Sequence, residues 1–318
     1  MPLNVRPAKV STIPDIKDEY RVESVVSADG TTIGYRRYGR GPGIVLVEGA
    51  MGTAHNYDQL ARSLAGNFTV IVPDRRGRGL SPRDFSPDHC LQKEIEDLES
   101  LFGQTEAEFL FGLSSGGVIA LAAARYLPAL RKVILYEPPF PVGSDRFHLV
   151  PRFNREVTEG KMATALVTAN QMVGLAPPIL AILPRSILQL LTGAMLRRDD
   201  KTHGEYTPIR TLLPAMRYDF NVVSEMQGKA GDWGEAKVEI LLLGGTKSPA
   251  YLKMALGVLE QRLPAAKRIE FEGLAHSGPW NADRRGSPNI VADAISEFIL
   301  KPNARSFAGR AGPIDGRS

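Results

Sequence analysis

A hydroxyl group suited to nucleophilic catalysis lies in the hexapeptide Gly112–Gly117, which reads GLSSGG. It contains the pattern G-x-S-x-G around Ser114, directly after a short apolar run and directly before a helix-forming stretch. In a strand–turn–helix of this kind the central serine projects above the sheet, and only small neighbours fit where strand and helix approach. The helix N-terminus behind it favours a developing oxyanion. The pattern predicts that Ser114 is a nucleophile and that Gly112 and Gly116 are steric requirements; the alternative is a plain Gly/Ser turn.

A serine hydroxyl is a weak nucleophile at neutral pH and needs a general base, most often histidine. Of the five histidines, His276 lies in the loop GLAHSG (273–278), directly after the last predicted strand. The other four lie in or beside predicted helices, or in a long segment without strands. Because the carboxyl ends of parallel strands meet at one edge of a sheet, His276 is expected near Ser114 as its base.

The elements that must position these side chains follow from the hydrophobic pattern. Two strands, Tyr20–Val26 and Thr32–Tyr38, are predicted on either side of Asp29-Gly30, a hairpin turn. Short apolar runs then alternate with helix-like stretches, which predicts an α/β protein with a mostly parallel sheet and helices on both faces. The predicted strands are Ile44–Val47, Phe68–Val72, Glu108–Phe111, Val133–Tyr136, Ile240–Leu243 and Arg268–Phe271. The predicted helices are Ala54–Leu64, Leu91–Leu101, Val118–Tyr126, Ala250–Leu263 and Asn289–Leu300.

One long interval, residues 141–233, lacks strand patterns and is predicted to be a helical cap inserted into a core of residues 20–140 and 234–300. Residues 1–19 are expected to form a loose arm and residues 301–318 a flexible basic tail. The predicted cap helices include Met162–Met172, Ser186–Arg197 and Ile209–Met226. The second of these carries a wide apolar face, which either packs on the body or lines an apolar substrate cavity; a membrane-surface or dimer contact also stays open.

Two further motifs carry a resemblance to a known family. Glu48–Gly52 (EGAMG) follows the third predicted strand, and Pro73–Ser81 (PDRRGRGLS) follows the fourth. With the serine pentapeptide and the loop of His276, they resemble the α/β-hydrolase family over residues 20–300 apart from the cap. The resemblance implies the α/β-hydrolase fold: an eight-stranded, mostly parallel sheet with a helical cap insertion.

The resemblance also implies where an oxyanion would be held. In the family, one backbone N–H comes from the turn after the third strand and the other from the residue after the nucleophile, here Ala50 and Ser115. Relatives often have a histidine where Glu48 stands, a departure that does not remove a backbone donor. Residues 73–81 look like the family's structural turn, and no catalytic role is expected for them.

The family's triad runs in the order nucleophile, acid, histidine, and its usual acid is an aspartate after the penultimate strand. Here that loop reads LGGTKSP (243–249), with Ser248 at the expected place and no carboxylate nearby. Ser248 cannot stabilise an imidazolium by charge. Glu137, at the end of the strand that follows the serine motif, is the candidate acid, as in the similar zearalenone lactonases and haloalkane dehalogenases. Two alternatives stay open: Glu137 only caps or salt-bridges its loop, or Asp232 is the acid.

Composition narrows the function classes. The 318 residues are 43% hydrophobic and 23% charged, as in ordinary globular proteins, and the net charge of +4 comes with no basic stripe, which argues against nucleic-acid partners. No apolar run of about 18 residues is present, so no integral membrane segment is expected. The single cysteine and the polar N-terminus favour a cytoplasmic location.

These observations together predict a serine esterase or lactonase that acts on a small or medium hydrophobic carbonyl substrate through an acyl-enzyme, without metal or organic cofactor. An aspartate nucleophile, as in dehalogenases and epoxide hydrolases of this fold, is absent from the motif. Thioester cleavage, carbon–carbon bond hydrolysis, a cyclase, an acyltransferase and a catalytically silent binding protein stay open, as does a homodimer.

Overall fold

The structure is a computed structural model that describes residues 20–139, 146–174, 183–201, 204–226 and 238–301. One sheet of eight strands forms its centre. The strands are β1 (Tyr20–Val26), β2 (Thr32–Tyr38), β3 (Gly43–Val47), β4 (Thr69–Pro73), β5 (Ala107–Leu113), β6 (Lys132–Tyr136), β7 (Glu239–Gly245) and β8 (Lys267–Phe271). Their order across the sheet is β1-β2-β4-β3-β5-β6-β7-β8.

The sheet is mostly parallel, as predicted. β1 and β2 form an antiparallel hairpin whose turn includes Gly30 at φ 81°, and β2 pairs antiparallel with β4. All other neighbours are parallel. β3, β4 and β6 are buried at every residue, because helices cover both faces. β5 continues past the predicted apolar run, since the ladder includes Gly112, opposite Leu135, a residue that hydrophobic pattern alone does not detect.

Ten α-helices are described, five of them around the sheet. These five are α1 (Asp58–Leu64), α2 (Leu91–Thr105), α3 (Ser115–Ala123), α9 (Ala250–Arg262) and α10 (Pro288–Leu300). α2, α3 and α9 pack on one face of the sheet, and α1 and α10 on the other. The predicted helix Ala54–Leu64 begins as a 3₁₀ turn, Ala54–Tyr57, before α1. Apolar side chains of both helix layers interlock with the strands, and this rigid core positions the strand ends.

The remaining helices lie between β6 and β7 in the chain: α4 (Val150–Thr158), α5 (Met162–Val173), α6 (Arg185–Asp199), α7 (Ile209–Leu212) and α8 (Met216–Glu225). The single helix predicted over 209–226 is interrupted by a 3₁₀ turn that contains Pro214, which lacks the backbone N–H that an α-helix needs. α4 was not predicted. These inserted helices share a hydrophobic cluster around Phe153, Leu166, Met216 and Phe220. The boundaries of the cap, arm and tail stay predictions.

The apolar face of α6 points to solvent rather than to the body. Leu190 is 69% exposed, and Ile187, Leu191 and Met195 are also exposed, whereas Leu196 is buried. The two main hypotheses for this face, packing on the body and lining a cavity, therefore both fail for these side chains. Across the described ranges, no helix combines the length and the apolar character that crossing a membrane requires.

Candidate active site

Ser114 lies at the sharp turn between β5 and α3. Its backbone has φ 55° and ψ −125°, a conformation that costs energy for a residue with a side chain. The Ser114 N–H donates to the Tyr136 carbonyl at 2.9 Å, which ties the turn to β6. A Cβ added at Gly112 would lie 2.3 Å from the Gly116 carbonyl oxygen, and one added at Gly116 would lie 2.5 Å from that of Val47. Both glycines are therefore steric requirements, in agreement with the sequence.

Glu137 lies directly after β6, fully buried, with φ 46°. Its Oε2 is 2.7 Å from Nδ1 of His276, and its Oε1 accepts the Gly245 N–H at 2.7 Å. The Tyr136 hydroxyl donates to the Ala275 carbonyl at 2.9 Å and so holds the histidine loop against β6. A carboxylate acceptor at Nδ1 places the proton of a neutral imidazole there and leaves Nε2 free to act as a base.

One cavity of about 210 Å³ brings the other predicted site residues together. Ser114, His276, Ala50 and Ser115 all line it. Its remaining walls are mostly apolar and are shared between the core and the inserted helices. Apolar side chains in the wall include Met51, Trp280, Leu166, Met172, Met216 and Phe220. The arrangement has the parts that acyl transfer needs, and the roles of the individual residues stay predictions.

The loop after β7 lacks a carboxylate, as the sequence predicted. Ser248 is buried there, and among the described residues its hydroxyl has no hydrogen-bond partner. The rival acid, Asp232, falls outside the described residues. Glu137 is the described carboxylate that contacts His276.

A buried charged cluster lies beneath the cavity, and sequence reasoning missed it: Glu48, Arg75, Arg78, Glu94 and Asp219. Arg75 pairs with Glu94 at 2.6 Å and with Asp219 at 2.7 Å, and Arg78 also pairs with Asp219. Asp219 itself lines the cavity. The turn at residues 73–81 was expected to be structural only. Asp74 fits that role, because it accepts the N–H groups of Ala54 and Leu80, but Arg75 and Arg78 contact residues of the site.

One feature of the sequence pointed to this cluster. Three arginines fall within four residues, Arg75 to Arg78, in a turn that directly follows a buried strand. Buried guanidinium groups need carboxylate partners, so the motif implied several buried acids. It did not identify them, because Asp219 is more than a hundred residues away along the chain.

Burial raises the pKa of Glu48 to about 8, although Arg78 and Arg75 pull that pKa down. In the unfolded chain this carboxyl titrates near its ordinary 4.5. Its contribution to stability is therefore complete below about pH 4.5 and is lost as the pH rises through 8. Between these values, the free energy of unfolding of the wild type should fall relative to Glu48→Gln by about 1.4 kcal/mol per pH unit.

Urea unfolding of both proteins between pH 5 and 9 measures this difference, and Glu99→Gln, a change at an exposed glutamate, controls for the substitution itself. Parallel stability curves for wild type and Glu48→Gln would show that Glu48 is ionised throughout.

Comparisons with known proteins fit this geometry. The model of the "Alpha/beta hydrolase family" matches residues 44–287. An alpha/beta hydrolase structure from Sphaerobacter thermophilus superposes with a TM-score of 0.70 at 27% identity, covering 87% of this chain and 100% of that one. N-formylmaleamate deformylase from Pseudomonas putida is 35% identical over 120 residues, 36% of this chain and 44% of that protein. Cis-3-alkyl-4-alkyloxetan-2-one decarboxylase from Shewanella oneidensis is 30% identical over 130 residues, 39% of each chain. The match thus spans less than half the length of these two curated relatives.

Proposed function

This chain belongs to the alpha/beta hydrolase family, and on that premise we propose that it is a serine hydrolase that cleaves a small or medium hydrophobic ester or lactone through an acyl-enzyme. The observation that carries the proposal is the 2.7 Å contact between Glu137 and Nδ1 of His276, beside a cavity that His276 shares with Ser114. The acid contacts the imidazole, and the imidazole and the hydroxyl line one cavity, although the three groups come from distant parts of the chain.

In the proposed mechanism, Nε2 of His276 takes the proton of the Ser114 hydroxyl while Oγ attacks the substrate carbonyl. The backbone N–H groups of Ala50 and Ser115 hold the resulting oxyanion. The carboxylate of Glu137 stabilises the imidazolium, which then protonates the leaving oxygen. A water molecule, deprotonated by the same imidazole, cleaves the acyl-enzyme and releases the acid.

The lining of the cavity supports a hydrophobic carbonyl substrate. The described walls are mostly apolar, and Arg75 and Arg78 neutralise the charge of Asp219. Among the described lining residues, Asp219 therefore offers no unpaired charge to an ionic substrate. The names of the relatives agree with carbonyl chemistry. One acts on an oxetan-2-one, which is a four-membered cyclic ester, and the other removes a formyl group from N-formylmaleamate. An ester or lactone that fills an apolar cavity is the substrate class these features favour.

A fluorophosphonate probe with a substrate screen tests the proposal. We expect the folded protein to be labelled at Ser114, as located by mass spectrometry, and to hydrolyse p-nitrophenyl butyrate or an aliphatic lactone. Comparing the two compound series at equal chain length gives the preferred class. If the folded protein is not labelled and turns over neither series, a cyclase or a binding protein replaces the hydrolase.

A further inference from the structure

We propose that Asp219, on α8 of the inserted helices, positions both backbone donors of the oxyanion site, through Ser115 and through Arg78. The donors are held in place only while α8 is docked on the core. The inference rests on the proposed function, because it concerns the oxyanion site of that reaction. Asp219 and Arg78 are positioning residues and contact no reacting atom.

The first connection runs to Ser115. The Ser115 hydroxyl donates to Oδ1 of Asp219 at 2.6 Å, and the same oxygen accepts from Nη1 of Arg75 at 2.7 Å. Ser115 is the first residue of α3, and its side chain is buried. Its tie to α8 holds the first turn of α3 in place, and with it the direction of the Ser115 N–H.

The second connection runs to the peptide that carries the other donor. Nη2 of Arg78 donates to Oδ2 of Asp219, and Nη1 donates to the Gly49 carbonyl at 2.8 Å. That carbonyl and the Ala50 N–H belong to one planar trans peptide, so they point in opposite directions. A hydrogen bond that holds the Gly49 oxygen therefore aims the Ala50 N–H and polarises it.

The turn that carries Ala50 lies against the nucleophile. A Cβ added at Gly49 would be 2.8 Å from Cβ of Ser114, and Met51 has φ 61°. On their other side, Ala50 and Met51 pack against the hydrophobic cluster of the inserted helices. The turn is thus held between the core and the insertion, and the salt bridge of Arg78 with Asp219 crosses the same boundary.

Asp219 is unsuited to act on the substrate directly. Its two oxygens accept from Ser115, Arg75 and Arg78, and it is 2% exposed. Both arginines also have partners in the core. Arg75 pairs with the carboxylate of Glu94 at 2.6 Å, and Arg78 donates to the Gly49 carbonyl at 2.8 Å. Because these partners remain when Asp219 is neutralised, and because α8 also packs through Phe220 and Val222, the fold should survive such a change.

Two variants test the inference. Asp219→Asn keeps the shape but replaces one acceptor oxygen with an NH₂ donor. That donor must face either Arg78 or the pair of Ser115 and Arg75, so the acceptor of one connection is lost. Ser115→Ala keeps the backbone N–H and removes only the hydroxyl tie. For p-nitrophenyl butyrate, we expect each variant to lower kcat about tenfold or more, while KM changes less than about threefold, because misplaced donors fail mainly in the transition state.

A pair of inhibitors separates this effect from general damage. A trifluoromethyl ketone accepts Ser114 Oγ at its carbonyl carbon, the hydroxyl proton passes to His276, and the carbonyl oxygen becomes an oxyanion. The matching methyl ketone binds without adding. We expect both variants to lower the affinity for the trifluoromethyl ketone by the same factor as they lower kcat. Their affinity for the methyl ketone should equal that of the wild type.

Asp97→Asn is the matched control. It breaks another buried pair at the same turn, in which Arg76 contacts Asp97 at 2.6 and 2.8 Å, away from the cavity. Its ratio of inhibitor affinities should equal that of the wild type. If both test variants keep the wild-type ratio of inhibitor affinities while the wild type is active, the inference is overturned and the proposed function stands. If Asp219→Asn does not fold, the result for Ser115→Ala decides alone. A wild type that hydrolyses neither esters nor lactones and does not form the adduct overturns both.

Discussion

Replacement of Ser114 by alanine is expected to lower kcat for p-nitrophenyl butyrate by about five orders of magnitude and to abolish fluorophosphonate labelling. The hydroxyl is the group that forms the acyl-enzyme, and without it only the oxyanion donors and substrate binding remain to assist water. Because the members of a triad act as a unit, no other residue of the site compensates for this loss. Single-turnover measurements over several hours give the residual rate.

Ser114→Gly provides a matched control for this experiment. Both variants lack the nucleophile, but the backbone at φ 55° suits glycine and strains alanine. We expect the glycine variant to be more stable to urea than the alanine variant by about 1 kcal/mol, with the same residual rate. Turnover by either variant above about one per cent of the wild-type rate would mean that a different group attacks the substrate.

The second large effect is expected for Glu137→Gln, which should lower kcat by at least about two orders of magnitude. One oxygen of Glu137 accepts the Gly245 N–H, a donor fixed by the backbone, and the other accepts from His276. A glutamine must face Gly245 with its oxygen, so its NH₂ group faces Nδ1 of the imidazole. That contact favours the tautomer with the proton on Nε2, which cannot accept the proton of Ser114.

The kcat of purified Glu137→Gln is compared with those of two further variants. Glu137→Asp keeps the charge on a shorter side chain, and we expect it to retain more activity than the glutamine variant. Glu156→Gln changes another buried glutamate, which binds Thr168 and Arg185 within the inserted helices and is not among the residues that line the cavity; it should keep a near-wild-type kcat. Near-normal turnover by Glu137→Gln would exclude Glu137 from the triad and leave Asp232 as the acid to test.

The sequence by itself was enough for the sheet, the serine turn and the histidine loop. β1 and β2 have the predicted bounds, and the inner strands differ from prediction only at their ends. Most of these features depend on local chemistry: apolar runs mark buried strands, and the sharp turn itself requires Gly112, where an added Cβ would meet Gly116. The requirement at Gly116 comes from the close approach of Val47 in β3, although the local motif already marks that position. The absence of a carboxylate from the loop around Ser248 is also visible in the local sequence, and it led to the prediction that Glu137 is the acid.

The tertiary structure alone decided which distant groups meet. It turned the apolar face of α6 to solvent, interrupted the helix at Pro214, and placed Asp219 against Arg75 and Arg78. Buried arginines need carboxylate partners, but many carboxylates in the sequence could meet that need. The choice among these carboxylates depends on how the inserted helices, α4 to α8, pack over the core. This packing depends on many weak contacts between segments that are far apart in the chain, and a local sequence pattern therefore does not predict it.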